Sequence, residues 1–257
     1  MISKNIFDML AKRAKDYTYS SMNYIDFEDC KNAEILQDCE DMILLHDTSK
    51  MPAMLYFAVN NFGCLIKKIS DMPGKLRLHF VPREFAAPLK ELGFTEWGEY
   101  ADFWNLDLAN TAAPLCNAEE AETLTTSDCE EVSALSEKCR LQSRGFEGES
   151  PDWFKDWLAE SKVLILRKNS AIIGYCCVSI YNEGTTLWIR EVAIDPDHQG
   201  KGFGKKLMEQ AIRYGASNGA VKGFLAADVL NKNAIGLYEK YGFKRKNTDS
   251  ELQMIKG

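Results

Sequence analysis

Gln199-Gly200-Lys201-Gly202-Phe203-Gly204-Lys205-Lys206 is the stretch from which the chain is best read. Ahead of it, Thr186-Leu187-Trp188-Ile189-Arg190-Glu191-Val192-Ala193-Ile194 has the composition of a strand. Behind it, Leu207, Met208, Ala211 and Ile212 recur at helical spacing with Lys206, Glu209, Gln210 and Arg213 between them. The order is strand, glycine-rich turn, helix. The first N–H groups of such a helix have no intrahelical acceptor, and the helix dipole places partial positive charge there. Glycines let the backbone approach a ligand without a Cβ in the way. Lys201, Lys205 and Lys206 add full charges. The segment is expected to hold a phosphorylated ligand; an ordinary glycine-rich connection is the alternative. No Gly-Lys-Ser/Thr closes the loop, so it is not a P-loop, and its G-x-G-x-G spacing is not a dinucleotide fingerprint.

Composition narrows the setting. The chain has 257 residues, 46% of them hydrophobic, enough for a sizeable core in one large or two small domains. Net charge is −7, and residues 1–112 carry 12 basic against 17 acidic side chains. Neither half has the positive excess that nucleic-acid binding requires, so no nucleic-acid partner is expected. A mildly acidic surface suits a cationic substrate. The eight cysteines form no C-x-x-C and no metal-ligand spacing with the three histidines. Free thiols, no metal and a reducing cytoplasmic setting are expected. No apolar leader follows Met1, and the longest apolar run, 171–178, is too short to span a bilayer; neither a signal peptide nor a membrane partner is expected.

Working outward, residues 3–15 are an amphipathic helix and residues 30–46 a second one, acidic on its outer face. Ala53–Val59 and Phe62–Ile69 read as a strand pair turning at Asn60-Asn61. Leu76–Val81 is a third strand, residues 83–92 a short helix ending at Gly93, and Tyr100–Leu108 a last strand. Residues 109–122, with Pro114 and no apolar period, are the expected linker. Beyond it come a short strand at 122–125, a helix at 129–142, a helix opened by Pro151-Asp152-Trp153, and strands at 163–167 and 172–181. After the glycine-rich unit come a strand at 222–229, a helix at 234–241 capped by Asn231-Lys232-Asn233 and ending at Gly242, and a final strand at 252–255. The resulting class is mixed α/β, with domains at 1–112 and 113–257.

Two motifs in order carry a family resemblance. Val192-Ala193-Ile194-Asp195-Pro196 precedes Gln199-x-x-Gly202-x-Gly204. Roughly thirty residues later stands Asn231-x-x-Ala234-Ile235-x-Leu237-Tyr238-Glu239-Lys240-Tyr241-Gly242-Phe243. Residues 117–257 thereby resemble the GNAT acetyltransferase superfamily. The resemblance implies the GNAT fold, a central mixed and largely antiparallel sheet flanked by helices. It also implies transfer of an acetyl group from acetyl-CoA, as cosubstrate, to a primary amine by direct attack in a ternary complex. On that basis the backbone of Val192 and Ile194 pairs with the pantetheine arm. Backbone N–H groups of Gln199, Gly200, Lys201, Gly202, Phe203, Gly204 and Lys205 hold the pyrophosphate, and Asn231 supports the pantetheine. Tyr238 protonates the departing thiolate; packing on the core face of its helix is the other account of this residue.

An alkylammonium has a pKa of about 10.4 and must lose a proton before it attacks. Glu191, on the face opposite Val192, is the first candidate base, with pairing to Arg190 as its structural alternative. Asp228, Glu183 and His198 follow. Other readings of the family likeness are a non-catalytic CoA-binding sensor and transfer of a different acyl group. The acceptor is a small molecule, a protein N-terminus or a lysine, and the protein a monomer or homodimer.

The first half echoes the second. Leu89-Lys90-Glu91-Leu92-Gly93-Phe94 parallels Leu237–Phe243, with Lys90 where Tyr238 stands, and Asn61–Ile66 is aligned with Ala171–Tyr175. The expectation is a reduced GNAT-like lobe that has lost the whole strand–loop–helix cofactor unit and binds no CoA.

Overall fold

In a computed structural model of the chain, residues 1–112, 122–140, 142–246 and 250–257 are described. Most of the expected linker, residues 113–121, lies outside them. The chain divides into two compact units, Met1–Glu99 with Asp249–Gly257, and Tyr100–Thr248. This differs from the expected boundary at 112/113. The last strand, β13 (Glu251–Lys256), pairs antiparallel with β5 (Leu76–Pro82) and so completes the first unit's sheet. Strand β6 (Phe94–Asn105) begins in the first unit and ends in the second. Among the described residues no helix is long and apolar enough to cross a membrane.

The first unit begins with helix α1 (Lys4–Ala14), capped by the Ser3 side chain, and a two-residue strand β1 (Tyr19–Ser20). Helix α2 (Phe27–Cys30) follows, then β2 (Glu34–Asp38), β3 (Met42–Asp47) and β4 (Ala53–Val59). Residues 34–47 are therefore strands rather than the expected helix. In β3, Met42 and Leu44 enter one core while Ile43 and Leu45 enter another. A strand buried on both faces loses the alternation that would have revealed it. The sheet runs β2-β3-β4-β5-β13, followed by the first part of β6.

Residues 62–70 correct a second expectation. They form helix α3 (Phe62–Ser70), with Phe62, Leu65 and Ile69 buried on one side and the Asn61 side chain accepting from the Gly63 N–H at 2.8 Å. Gly63 sits in the first turn of this helix, so it does not correspond to Gly174, which lies in a strand. The better correspondence is β4–α3–β5 with the strand–helix–strand unit of the second half. Both strand pairs are parallel and hydrogen-bonded over three residues, Ala53–Leu55 with Leu76–Leu78 and Thr186–Trp188 with Lys222–Phe224. The first unit has therefore kept a shortened cofactor-type unit rather than lost it. Helix α4 (Ala86–Glu91) then ends at Gly93, whose φ of +86° matches the +74° of Gly242.

The edge of β4 beyond this short pairing is taken by the chain itself. Tyr19 and Ser20 of β1 pair with Val59 and Ala58. Ser21 continues the contact, its N–H donating to the Phe57 carbonyl at 2.9 Å and its Oγ accepting from the Phe57 N–H at 2.9 Å.

In the second unit the sheet order is β6-β11-β10-β9-β8-β7, with β12 (Lys244–Arg245) on the other edge of β6. Helix α5 (Leu108–Ala112) and β7 (Glu122–Thr123) precede α6 (Cys129–Cys139) and α7 (Pro151–Glu160). Strands β8 (Lys162–Lys168), β9 (Ala171–Tyr181) and β10 (Thr186–Ile194) form an antiparallel meander. Helix α8 (Phe203–Ser217), β11 (Lys222–Asp228) and α9 (Lys232–Lys240) complete the unit. One sheet face packs on α8 through Leu187, Ile189, Leu207, Met208, Leu225 and Phe243. The other packs on α6 and α7 through Val132, Phe154, Val163, Tyr175 and Cys177. The close fit to α8 explains Gly215, where a Cβ would stand 2.8 Å from Leu187 Cδ2.

Candidate active site

The site is organised by a parting of strands. β10 and β11 pair only over Thr186–Trp188 and Lys222–Phe224, and no further pairing holds the rest of β10 to β11. On its other side β10 stays paired to β9 as far as Ile194, and the Asp195 N–H continues to the Ile173 carbonyl at 2.9 Å. Backbone groups of a strand alternate between its two neighbours. The groups of Ala193 therefore point to β9, and those of Val192 and Ile194 point into the parting. This places both residues where an extended, amide-bearing ligand could pair with them. The Ile194 carbonyl also accepts from the Gln199 side chain at 3.1 Å.

Downstream, Asp195 caps the turn at 196–198, its Oδ1 accepting from the Asp197 N–H at 2.8 Å, and is held by Lys138 Nζ at 2.8 Å. Gly200 and Gly202 take φ values of +73° and +85°, left-handed conformations in which a side chain is strained. The first turn of α8 is thus turned so that Lys206 N–H donates to Gly202 O at 3.1 Å. The N–H groups of Phe203, Gly204 and Lys205 come before any intrahelical acceptor. Gly204 has room for a methyl group, since a Cβ would lie 3.6 Å from Leu237 and 3.8 Å from Ile194, but not for bulk. Several side chains of the loop turn back to the protein. Lys201 Nζ donates back to the Asp197 carbonyl at 2.7 Å, Lys205 Nζ lies 3.7 Å from Glu209, and Gln199 donates to Gln142 at 3.3 Å. Phe203 meets His198 edge to face.

Glu191 is set by a bulge. Ile189 is opposite Val178 and Glu191 opposite Cys177, so Arg190 is the extra residue in β10. A bulge lets two successive side chains emerge on one face. Here both go to the α6–α7 side. Glu191 Oε2 lies 3.2 Å from Arg190 Nη1, and Oε1 accepts from the Tyr175 hydroxyl. Arg190 Nη2 also pairs with Glu149 at 2.7 Å, and its guanidinium lies 4.2 Å from the Trp153 ring centroid. Tyr175 Oη is 2.9 Å from Ser136 Oγ, which in turn accepts from the Glu149 N–H at 2.9 Å. A phenol has one hydrogen. With Glu191 ionised, that hydrogen goes to Oε1 and the Ser136 hydroxyl points at Tyr175. Glu191 Oε2 is then the oxygen left to accept a proton. The side chain is 10% exposed. Burial raises its pKa to about 7 against the opposing pull of Arg190 and the Tyr175 hydrogen bond. This is the range suited to a general base near neutral pH.

Tyr238 stands on the opposite face. It lies on α9, half-buried against the cluster of Leu207, Met208 and Phe243, and burial pushes its phenol pKa well up. The phenol therefore keeps its proton at neutral pH. Asn231 caps α9, its Oδ1 accepting from the Ala234 N–H at 3.1 Å.

The alternative bases sit elsewhere. Asp228 receives Arg144 twice, at 2.6 and 3.0 Å, and its side chain is 3% exposed. Burial alone would raise its pKa, but the bonds from Arg144 and the Leu230 N–H leave it lowered. It anchors the loop between α6 and α7 to the end of β11. Glu183 is exposed in the turn between β9 and β10, at the far end of β10, with φ +55°. His198 Nδ1 lies 3.9 Å from Asp195 in the turn before the loop. Sequence reasoning singled out Glu191 but not Tyr175, Ser136 and Glu149, which the structure gathers around it. They lie on three other segments, and nothing in their spacing links them.

Comparison with known proteins gives the family. Residues 130–243 match the model of the acetyltransferase (GNAT) family. This part of the chain is a GNAT domain. An uncharacterized N-acetyltransferase of Methanocaldococcus jannaschii is 29% identical over 113 residues, 40% of this chain and 50% of that protein. A mycothiol acetyltransferase of Saccharopolyspora erythraea is 29% identical over 104 residues, 40% of this chain and 33% of that protein. The matched span is thus half or less of these relatives' length. A tandem GNAT protein from the clavulanic acid biosynthesis pathway has a TM-score of 0.56 at 14% identity, covering 84% of this chain and 78% of its own. The fold of the N-terminal unit is accordingly also GNAT-like, and the shortened β4–α3–β5 unit is its counterpart of β10–α8–β11. In the GNAT domain β11 leaves β10 after three paired residues, whereas in the N-terminal unit Tyr19–Ser21 pairs along the corresponding edge.

Proposed function

We propose that the GNAT domain transfers an acetyl group from acetyl-CoA to a primary amine by direct attack. The observation that carries this reading is the setting of the parting between β10 and β11. A buried carboxylate at the β10 bulge lies on one sheet face, a protonated phenol on the other, and between them runs the stretch of β10 that β11 does not pair. The residues fit the cofactor. Val192 and Ile194 would pair with the amides of the pantetheine arm, with Asn231 supporting it. The turn at Gly200 and Gly202 and the first amides of α8 would receive the pyrophosphate. When bound, acetyl-CoA supplies an acyl group activated as a thioester.

The remaining chemistry belongs to this chain. Glu191 Oε2 takes a proton from the incoming ammonium, leaving a nucleophilic amine. Arg190 and Tyr175 hold the carboxylate in place while it does so. Tyr238 holds a proton at Oη for the sulfur as the new N–C bond forms and the C–S bond breaks. Both side chains act as proton carriers and neither forms a covalent bond to the acyl group.

The test is thiol release from acetyl-CoA with a panel of primary amines. The wild-type protein turns over at least one. Glu191→Gln loses most turnover at neutral pH while CoA affinity stays within twofold. No amine-dependent thiol release from a protein that binds CoA would refute the reading.

A further inference from the structure

Four of the chain's five tryptophans stand in one row in the second unit. Trp153 stacks on Trp157 with centroids 5.2 Å apart, and Trp157 meets Trp188 edge-on at 5.6 Å. Trp188 is registered beside Phe224 on β11, and Phe224 beside Trp104 on β6, with the last two rings 4.8 Å apart. The row lies on the sheet face away from α8, because the alternating residues Leu187, Leu225 and Phe103 fill the α8 core. Glu191 and Arg190 emerge on this same face, and Arg190 covers Trp153.

A row built only to fill a core would be closed over. All five rings instead keep part of their surface, and Asp102 and Ala226, two residues along from Trp104 and Phe224, are exposed. At the end away from Glu191 the row opens into a cavity of about 820 Å³ lined by Trp104, Leu106, Asn110, Lys222, Lys244 and Lys246. Lys222 Nζ and Lys246 Nζ lie 5.9 and 5.3 Å from the Trp104 centroid. Asp102 and Asp107 are the acids at this end, outnumbered by the three lysines and Arg245.

We infer that this row is the track on which the acceptor lies. Its occupant is an amine with an apolar or aromatic body and a carboxylate or phosphate at the far end. The ammonium reaches Glu191, the body lies along the tryptophans, and the anion ends among Lys222, Lys244 and Lys246. This rests on Glu191 being the base for an amine. The length is set by the sheet. Two strand spacings separate Trp188 from Trp104, and three residues of β10 separate Trp188 from Glu191, so the ammonium and the anion are on the order of 15 Å apart.

Three probes test it on the full chain with CoA present. They are butylamine, an aromatic tetrapeptide with a free terminal carboxylate, and its C-terminal amide; four extended residues reach about 13 Å. Tryptophan fluorescence reads binding directly, and thiol release reads turnover. The carboxylate peptide is expected to bind about tenfold more tightly than its amide, the increment of one charge-assisted contact. Lys222→Gln with Lys246→Gln removes that difference and leaves the amide unchanged. Trp104→Ala weakens both peptides and leaves butylamine unchanged. Equal affinity for acid and amide, or equal loss of both in the lysine variant, overturns the inference. Ranked binding without turnover would instead refute acetyl transfer and leave the track standing. Turnover of all three probes with equal affinity would refute the track alone.

Discussion

Replacing Tyr175 with Phe should move the pH at which the enzyme switches on. Glu191 is surrounded by Arg190 on its own strand, by Tyr175 and Cys177 on β9, by Ser136 and Cys139 on α6, and by Glu149 ahead of α7. Burial lifts its pKa to about 7, while Arg190 and the Tyr175 hydroxyl oppose the rise. In the proposed mechanism the carboxylate is the active form. In the wild type, kcat/KM for a given amine should therefore rise about tenfold per pH unit below 7 and flatten above it. The phenylalanine variant keeps the ring and its packing against Phe154 but removes the donor to Oε1. A hydrogen bond to a charged group contributes roughly 1.5–3 kcal/mol, and one pH unit corresponds to about 1.4 kcal/mol. The limb should move upward by roughly one to two pH units. At pH 7 the variant should be about tenfold or more slower, and by pH 9 to 10 it should approach the wild type. Recovery at high pH separates this effect from damage to the fold. The assay is thiol release across pH 5 to 10 at saturating CoA with one amine. A limb that stays in place, moves downward, or fails to recover would refute the reasoning.

Glu191 also has a stability signature. Its folded-state pKa is raised above the ordinary 4.5, so the protonated form is favoured in the fold and the benefit is lost as pH rises through about 7. At pH 8 the ionised group costs the fold about 3 kcal/mol. Glu191→Gln should raise Tm at pH 8 and leave it nearly unchanged at pH 5; equal changes at both would contradict the linkage. Tyr238→Phe should lower kcat at least tenfold with CoA affinity unchanged by calorimetry, and unchanged turnover would remove its role. Gly202→Val forces a β-branched residue into a φ of +85°, at a cost of about 1–2 kcal/mol or more, and should weaken CoA binding at least tenfold with an intact circular-dichroism spectrum. Gly223→Ala brings a Cβ to 2.9 Å from Phe243 and 3.2 Å from Leu108. Such overpacking costs about 1–3 kcal/mol, so Tm should fall by several degrees without loss of CoA binding.

The glycine-rich turn was legible from sequence because its physics is local. Gly200 and Gly202 are needed for left-handed backbone, the helix that follows has its own period, and Asp195 caps its turn two residues away. Tyr238, Asn231 and Gly242 were singled out the same way, as neighbours within one strand–helix motif. Helix α3 was misread because Phe62 to Ile69 is almost continuously apolar, and a short apolar run does not distinguish strand from buried helix. Strand β3 failed for the related reason that both its faces are buried. The domain boundary failed because a strand's partner is not written in its own residues. Only pairing assigns β13 to β5 and the end of β6 to β11.

What the sequence determined by itself, then, was each locally encoded part: the glycine-rich turn, the helix caps, the aromatic and acidic residues available, and the family they resemble. Tertiary structure decided what those parts do to one another. The parting of β10 from β11 exposes the backbone of Val192 and Ile194, the bulge at Arg190 turns Glu191 toward Tyr175, and registry across three strands lines up Trp188, Phe224 and Trp104. Burial by distant segments lifts the Glu191 carboxyl to about 7 against the pull of Arg190 and Tyr175, and that burial exists only in the folded chain.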